Sequence, residues 1–258
     1  MARFSFSLQE IGGGLTAPLV VVMPIYNEEA NIAEVVARWS ECLTALAVPF
    51  QLVALDDGSR DRTREILLQL ESENPDRLCV VSKPNSGHGI SCRMGYDIAV
   101  ASNADWVLQI DSDGQCDPGH FSEFWNRRES ADCIFGRRAS RDDGFARIAT
   151  SAICRLGASL ICGQDLKDPN VPYRLIRRSA LQRALRFIPP NFNIHNVALT
   201  YVLKKLPGLR WDYVAIHFPD RKGGTNSINV LQVVTWGAEM LLELLRIRVP
   251  AETSGASK

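Results

Sequence analysis

Two aspartates separated by one serine, Asp111 and Asp113, form the most chemically informative pair in the sequence. Both follow a short apolar segment typical of a buried strand, so both carboxylates could reach one ion at the strand's end. Hard divalent cations prefer carboxylate oxygens, and Gln115 adds an amide oxygen two residues further on. A cation held there would neutralise a diphosphate group. The alternative interpretation is that these acidic residues simply form a turn.

Two further polar segments also follow apolar runs. In Asp56-Asp57-Gly58-Ser59, a carboxylate could accept hydrogen bonds from a base or ribose, while Gly58 permits a tight turn. In Pro24-Ile25-Tyr26-Asn27-Glu28, Tyr26 could contact the base. The alternatives are an ordinary Asp-Gly turn for the first segment and a helix start capped by Asn27 for the second.

A third polar segment, Asn85-Ser86-Gly87-His88-Gly89, is rich in glycine, and Arg93 follows it closely enough to reach a phosphate. This segment is not a dinucleotide-binding fingerprint, because the required third glycine would fall on Cys92. Gly12-Gly13-Gly14 precedes a predicted strand instead of following one, so it does not predict a phosphate-binding loop either.

The elements that must position these residues alternate between strand and helix. Apolar runs predict strands at residues 19–24, 51–55, 78–82, 105–110 and 131–135, then at 173–177 and 210–216. Helical spacing covers 28–47 and 90–101, Asp61 is a candidate cap for the helix after the second strand, and two helices separate the last two strands. We therefore predict an α/β fold with a doubly wound, mainly parallel sheet flanked by helices.

Ligands of such sheets bind at the carboxyl ends of the strands. All three polar segments, the Asp111–Asp113 pair and Gly136-Arg137-Arg138 follow predicted strands. We therefore expect these five segments to converge on one rim.

The ordered set of motifs resembles glycosyltransferase family 2, and within it the dolichyl/polyprenyl-phosphate mannosyltransferase branch. Four segments carry the resemblance: Pro24 to Glu28, Asp56 to Ser59, Asn85-x-Gly87-x-Gly89 and Asp111-x-Asp113. Asp168 followed by Tyr173-Arg174-Leu175, and Arg221 followed by Gly224, extend it over residues 18–227. One departure is Asn226-Ser227, which stands where the branch usually carries a Ser-Lys pair, and this leaves the acceptor open.

The resemblance implies a GT-A fold and a Mg²⁺ or Mn²⁺ ion bound by Asp111, Asp113 and Gln115. It implies nucleotide contacts from Pro24, Tyr26, Glu28, Asp56 and Asp57. Guanidinium contacts with the diphosphate and an acceptor phosphate would come from Arg137, Arg174 and Arg221. The remaining candidate contacts with the nucleotide sugar are Lys83, Gly87, Arg93 and Ser112.

The predicted reaction is an inverting transfer of a hexose from a GDP-mannose or UDP-glucose type of donor to a polyprenyl phosphate. A lipid phosphate is already an anion, whereas a hydroxyl acceptor must lose its proton to a carboxylate. Asp168 is the first candidate for that base and Asp165 the second, with Arg174 and Arg221 completing the catalytic set. The alternative for Asp168 is a turn before Pro169.

Two other functions remain open at this point. A family 2 enzyme could act on a saccharide hydroxyl in cell-envelope polysaccharide synthesis. A non-catalytic nucleotide-sugar binding protein could retain the fold, although the complete acidic set argues against it. A sugar nucleotidyltransferase would need a glycine-rich loop after the first strand, where this chain has Ile25-Tyr26-Asn27.

The composition argues against some classes of partner and favours one cellular location. The 29 basic and 29 acidic residues balance, so the chain shows no global nucleic-acid footprint. Its seven cysteines include no CxxC pair, which argues against a zinc site or a disulfide framework and favours a reducing cytoplasm. We expect neither a signal peptide nor a transmembrane helix, because residues 1–10 lack an apolar run with a cleavage site and no apolar run of about 20 residues is free of charge. We expect a cytoplasmic protein, with peripheral contact at the inner face of the membrane as an open alternative.

The chain of 258 residues fits one compact domain with an extension. We predict an N-terminal lead at 1–17, the GT-A domain at 18–227, an amphipathic C-terminal helix at 228–250 and a disordered tail at 251–258. That helix could pack on the domain, form a dimer face or lie on a membrane surface.

Overall fold

The computed structural model describes residues 7–138, 159–192, 195–218 and 244–249. The strands are β1 (Leu19–Ile25), β2 (Phe50–Asp56), β3 (Leu78–Ser82), β4 (Trp106–Gln109), β5 (Cys133–Arg138), β6 (Arg174–Arg177) and β7 (Trp211–Ile216). The helices are α1 (Leu8–Gly13), α2 (Ile32–Ala45), α3 (Thr63–Glu73), α4 (His88–Ala101), α5 (Phe121–Arg127), α6 (Arg178–Leu185) and α7 (His195–Lys205). A single 3₁₀ turn, Pro118–His120, precedes α5. Every strand predicted from the sequence is present.

The sheet has the strand order β3-β2-β1-β4-β6-β5-β7. β1 pairs in parallel with β2 and β4, and all seven of its residues are buried, as expected for a central strand covered on both faces. Along the chain, β2 and β3 are added on one side of β1, and β4 is then added on its other side. Because parallel crossovers are right-handed, this change of side places α4 on the face opposite α2 and α3. The crossovers therefore diverge between β1 and β4, where doubly wound sheets bind their ligands.

β6 interrupts the parallel arrangement. It lies between β4 and β5 and is antiparallel to both, with Val107 and Ile134 opposite Ile176 and Leu175 respectively. β7 then pairs in parallel with β5 at the edge. Four strand pairs are parallel and two are antiparallel, so the predicted doubly wound, mainly parallel sheet is confirmed.

Aromatic packing joins α2 and α5 to the sheet near β6. Trp39 of α2 contacts Phe121 edge-on, with ring centroids 6.1 Å apart, and contacts Tyr173 at 5.6 Å. Phe124 stacks on Tyr173 with centroids 4.4 Å apart. All four side chains are almost fully buried. Such pairs add to the free energy gained by burying the rings alone, so this cluster fixes one helical layer against the strands.

Part of the predicted N-terminal lead forms the helix α1. Ser7 and Glu10 make a capping box at its start, and Gly12 packs so closely on α4 that an added Cβ would lie 2.4 Å from the carbonyl oxygen of Ile98. The boundary predicted at residue 18 therefore follows a helix that is already packed on the domain.

Most of the predicted C-terminal helix and all of the predicted tail lie outside the described residues. Within 244–249, Leu244 and Ile247 are buried in the hydrophobic core while Leu245 is exposed. This end of the segment therefore packs on the domain. In the part of the chain that the structure describes, no helix is both long and apolar enough to cross a membrane.

Replacing Gly95 by alanine should test how closely α4 packs on the sheet. An added Cβ would lie 2.3 Å from Val22 Cγ1 and 2.7 Å from Leu55 Cδ1, so the sheet or the helix must shift. We expect Gly95→Ala to lower the free energy of unfolding by about 1–3 kcal/mol, measured by urea denaturation. Gly13→Ala is the matched control, because nothing lies within 4 Å of an added Cβ there. Equal stability of the two variants would contradict the close packing.

Candidate active site

A cleft of about 260 Å³ opens beyond the carboxyl ends of β1 and β4, at the point where the strand order reverses. It is lined by Pro24, Ile25, Tyr26, Glu28, Asp57, Asn85, Gly87, His88, Asp111, Ser112 and Asp113. Four of the five polar segments expected on one rim thus contribute to one cavity. The fifth, at the end of β5, contributes none of the described lining residues.

The loops after β1 and β2 are fastened to each other. Asn27, which has a left-handed backbone (φ 53°), donates its N–H to Ser59 Oγ at 3.0 Å and accepts the N–H of Arg60 through Oδ1 at 2.8 Å. The N–H of Glu28 donates to Thr63 Oγ1 at 2.8 Å. Asn27 therefore ties the loops together, while α2 begins only at Ile32. These bonds fix the side of the cleft that holds Tyr26 and Glu28.

Asp61, the predicted cap of α3, also joins the two loops. One of its carboxylate oxygens accepts the N–H of Thr63, the first residue of α3, at 3.0 Å. The other accepts the N–H of Glu29 at 3.2 Å. Partial burial raises the pKa of Asp61. The hydrogen bonds from the Thr63 hydroxyl and from the N–H groups of Thr63 and Glu29 lower it by more, so the pKa lies below its ordinary value.

Asp57 organises the next loop. Its carboxylate accepts the N–H groups of Ser86 at 2.8 Å and Gly87 at 2.9 Å, and it forms a buried ion pair with Lys83. Lys83 also donates to Ser86 Oγ at 2.5 Å. The predicted contact of Lys83 with a nucleotide sugar is therefore replaced by an internal one. Asp57 itself still lines the cleft.

Asp56 is buried at the end of β2, with 1% of its surface exposed. One carboxylate oxygen accepts the N–H of Ser59 at 3.0 Å, and Gly58 adopts the left-handed conformation (φ 70°) that closes this turn. Asp56 is absent from the cleft lining, so its position supports the turn interpretation better than a contact with the base.

The turn after β4 presents the predicted metal ligands. Asp111 and Asp113 line the cleft on either side of the buried Ser112, and Gly114 has a positive φ of 78°. Asp113 accepts the N–H of Gln115 at 3.1 Å, which orients one of its carboxylate oxygens. The Gln115 side chain is not part of the described lining.

His88 belongs to the site but was not among the residues predicted from the sequence. Its Nε2 lies 3.0 Å from Asp111 Oδ1, and its side chain is 51% exposed at the cleft. The neighbouring Cys92 sulfur and then the Asp111 carboxylate raise its pKa above the ordinary value. The signal in the sequence is a ring nitrogen within the glycine-rich segment that follows β3, and this composition alone does not identify a site residue.

Two arginines predicted to hold phosphates are engaged elsewhere. Arg174 is fully buried, and its guanidinium donates to the carbonyl oxygens of Val171, Pro169 and Asn196 at 2.6–2.8 Å. Arg93 donates to both carboxylate oxygens of Asp97 at 3.0 Å and to a backbone carbonyl at 2.5 Å. All three guanidinium nitrogens of Arg174 are satisfied inside the protein, so we correct its assignment from a phosphate contact to a structural one. Arg93 is held by Asp97 and is not among the described lining residues of the cleft.

Asp168, the predicted base, is also paired. It is 8% exposed, and Arg138 donates to its two oxygens at 2.9 and 3.1 Å. Arg137, which was predicted to contact a phosphate, is exposed at the end of β5. Arg221 lies outside the described residues. The second candidate base, Asp165, is exposed.

The chemistry of the donor set fits a divalent cation only in part. Two carboxylates and one imidazole meet at the cleft, but no three His, Cys, Asp or Glu side chains of the described residues are arranged to hold a metal ion. A cation there would need further oxygens. Mg²⁺ commonly takes such oxygens from one or two carboxylates, water and substrate phosphates, which is compatible with this site.

The family model for glycosyl transferase family 2 matches residues 20–185, which include every described lining residue of the cleft. The chain belongs to glycosyl transferase family 2. An undecaprenyl-phosphate 4-deoxy-4-formamido-L-arabinose transferase from Pseudomonas aeruginosa is 30% identical over 167 residues, covering 64% of this chain and 48% of that protein. The protein of the same name from Photorhabdus laumondii is 27% identical over 189 residues, covering 72% and 57%. The chain thus spans about half the length of the curated relatives it matches.

Solved structures confirm the GT-A fold of this family 2 member. Glucosyl-3-phosphoglycerate synthase from Mycobacterium tuberculosis, in complex with Mn²⁺, UDP and phosphoglyceric acid, superposes with a TM-score of 0.65. The sequence identity is 20%, and the match covers 97% of this chain and 86% of the other. A complex of the same enzyme with Mn²⁺, UDP and glucosyl-3-phosphoglycerate gives a TM-score of 0.61 at 18% identity, covering 98% and 88%.

A double-mutant cycle on Asp57 and Lys83 should show that the buried ion pair supports this family 2 cleft. Asp57→Asn or Lys83→Met alone leaves its buried partner without a counter-charge and should lower the free energy of unfolding by about 3 kcal/mol. The double variant should lose less than the sum of the two, by about 1 kcal/mol or more, measured by urea denaturation. Additive losses would mean that the pair has no coupling.

Proposed function

We propose that this family 2 protein is a metal-dependent, inverting hexosyltransferase. Its donor is a nucleotide diphosphate-sugar of the GDP-mannose or UDP-glucose type, and its acceptor is a polyprenyl phosphate. The metal is Mg²⁺ or Mn²⁺, with Asp111 and Asp113 as its protein ligands.

This proposal rests on the charge of the side chains that line the cleft. Four carboxylates line it, those of Glu28, Asp57, Asp111 and Asp113, and no lysine or arginine is among the described lining residues. Lys83 neutralises Asp57, and the carboxylates of Glu28, Asp111 and Asp113 line the cavity together with His88. A diphosphate would be repelled by this surface unless a cation bound with it. The cleft therefore suits a diphosphate only as its metal complex.

Different described side chains would contact different parts of the donor. Tyr26 is 41% exposed at the cleft and offers an aromatic face for the base, while Glu28 lies two residues further along the same loop. Asp111 and Asp113 would hold the cation, and Ser112 between them lines the cavity. When bound, the cation would neutralise the departing diphosphate.

The acceptor is proposed as a lipid phosphate because the Pseudomonas and Photorhabdus relatives are named undecaprenyl-phosphate transferases. The contacts of Asp168 agree with such an acceptor. A carboxylate whose two oxygens both accept from Arg138 is poorly placed to remove a proton, and a phosphate acceptor requires no such step. The exposed Arg137 is available for an acceptor phosphate. A lipid acceptor also favours a cytoplasmic protein in peripheral contact with the inner face of the membrane.

A saccharide hydroxyl is the second candidate acceptor. The M. tuberculosis structure is a complex with phosphoglyceric acid, so a related fold accommodates a small molecule that is not a lipid. A hydroxyl acceptor would require a base, and Asp168 would then have to leave its ion pair with Arg138.

A donor screen tests the proposed function. The full chain is incubated with GDP-mannose, UDP-glucose or UDP-GlcNAc and Mn²⁺, with and without a polyprenyl phosphate, and the release of nucleoside diphosphate is measured. We expect lipid-dependent release from one donor, abolished by EDTA and reduced by at least about 100-fold in Asp113→Ala. Asp76→Ala, at an exposed position outside the cleft, is the matched control. Lipid-independent or EDTA-resistant transfer would contradict the proposal.

Replacing Asp168 by asparagine distinguishes the two acceptor classes. The amide keeps one oxygen for Arg138 but cannot act as a base, so transfer to a polyprenyl phosphate should fall by less than about tenfold. Transfer rates and donor dissociation constants are compared with those of Asp76→Asn, an exposed control outside the cleft. A loss of about 10²–10⁴-fold with unchanged donor binding would instead make Asp168 an essential base and favour a hydroxyl acceptor.

A further inference from the structure

We propose that a buried polar cluster between the sheet and the helices α4 and α7 binds ordered water. The cluster is formed by Tyr96 of α4, Gln109 at the end of β4, Arg174 of β6, and His195 and Asn196 at the start of α7. It lies on the strand that leads into the candidate active site, because Gln109 precedes Asp111 by two residues. Water binding there does not depend on the proposed transferase activity.

Four side-chain atoms of the cluster have no hydrogen-bond partner among the described residues. They are Gln109 Nε2, both ring nitrogens of His195 and Asn196 Oδ1. All three side chains are more than nine-tenths buried, and His195 is only 1% exposed. Buried polar atoms in native proteins nearly always bond to the protein or to ordered water, because an unpaired one loses its hydration without compensation. The four atoms therefore indicate a small bound molecule.

Contacts within the cluster place these atoms in one layer. Gln109 and Arg174 lie opposite each other in the β4–β6 pair, so their side chains share one face of the sheet. On that face, Tyr96 donates its hydroxyl to Gln109 Oε1 at 2.9 Å, and its ring centroid lies 5.3 Å from that of His195. Arg174 donates to the carbonyl oxygen of Asn196 at 2.8 Å. The Gln109 amide and the start of α7 are thus brought to the same place by Tyr96 and Arg174.

The unpaired atoms include both donors and acceptors. Gln109 uses its amide oxygen for Tyr96, which leaves the amide nitrogen to donate elsewhere. Burial, and then the charges of Arg93, Arg174 and His88, lower the pKa of His195 to about 3. Its imidazole is therefore neutral near pH 7, with one nitrogen that donates and one that accepts. Asn196 Oδ1 is a second acceptor.

Water matches this mixed set, whereas an ion does not. A cation would be repelled by the buried guanidinium of Arg174 and could not accept from Gln109 Nε2. A simple anion could not donate to Asn196 Oδ1 or to the accepting nitrogen of His195. A water molecule donates two hydrogen bonds and accepts two, and a buried water needs two to four polar partners. Because the two ring nitrogens of His195 point away from each other, the complete set requires a second water.

A bridging water here would connect two elements that carry different parts of the molecule. It would join the start of α7, which Arg174 already ties to β6, to the end of β4, from which the Asp111 turn begins. Such waters are nearly as favourable as direct hydrogen bonds and add to the structure that holds a site. The water would therefore help to fix α7 against the strand that presents Asp111.

A high-resolution crystal structure of the full chain tests the proposal directly. We expect a water within hydrogen-bond distance of at least two of the four atoms, Gln109 Nε2, the two ring nitrogens of His195 and Asn196 Oδ1. Direct hydrogen bonds between these side chains without a water would overturn the proposal, as would a dry cluster or a bound ion.

Magnetic relaxation dispersion of ¹⁷O-water tests the same site in solution, since it counts waters that stay bound for long times. Globular proteins hold about one buried water per 27 residues, so the informative quantity is a difference between variants. We expect fewer long-lived waters in His195→Phe than in the wild type. His120→Phe is the matched control because the His120 ring accepts the N–H of His217 and is partly exposed. An unchanged count in His195→Phe would overturn the proposal.

The urea midpoint of His195→Phe gives a readout of opposite sign for the two cases. If water bonds to His195, the phenyl ring removes a partner from that water, and the midpoint should fall. If no water is present, the phenyl ring replaces an unpaired buried imidazole, and the midpoint should rise. Asn196→Leu, which keeps the imidazole, is the second variant and should also lower both the midpoint and the number of long-lived waters. Midpoints that fall without a loss of long-lived water would show a packing role only and would overturn the proposal.

Discussion

The carboxylate of Asp57 joins the separate segments from which the cleft is built. Its backbone N–H donates to the carbonyl of Ile25 at the end of β1, and its side chain holds the loop that leads into α4. A charged acceptor buried among N–H donors and a lysine forms strong hydrogen bonds, but each of these is costly to lose. The positions of Tyr26 on one side and His88 on the other therefore depend on this one residue, through its backbone N–H and its carboxylate respectively. The reversal of strand order brings the segments near each other, and Asp57 fixes their distances.

The charge of the cleft also depends on which side chains hold the loops together. The carboxylates near the cavity have different tasks. Asp56 accepts a hydrogen bond within its own turn, Asp57 holds the loop after β3, and Asp111 and Asp113 face the cleft. Lysine and arginine side chains nearby are used for structure, as in the pairing of Lys83 with Asp57 and of Arg93 with Asp97. The cleft is consequently acidic although the chain as a whole has no formal net charge. This acidity is the reason for proposing that a cation takes part in the binding of an anionic donor.

Strand positions and the rim of polar segments could be predicted from the sequence because both depend on local patterns. The direction of β6 could not, since a four-residue apolar strand has the same pattern in either orientation. The roles of the arginines failed for a different reason. A motif identifies a guanidinium but not its partners, and backbone carbonyls satisfied Arg174 as completely as a phosphate would. Likewise, neighbouring residues on a strand point to opposite faces, so that Arg138 pairs with Asp168 and Arg137 does not.

The buried Arg174 links these structural contacts to Asp168, the residue predicted as the base. By bonding the carbonyls of Pro169 and Val171, it fixes the turn that follows Asp168, and its contact with Asn196 ties that turn to α7. Asp168 is thereby held where Arg138 can reach both of its oxygens. An enzyme that needed this carboxylate to accept a proton would gain nothing from such a rigid pairing with a guanidinium. A pairing that anchors the end of β5, and with it the exposed Arg137, is better suited to an acceptor that arrives already ionised.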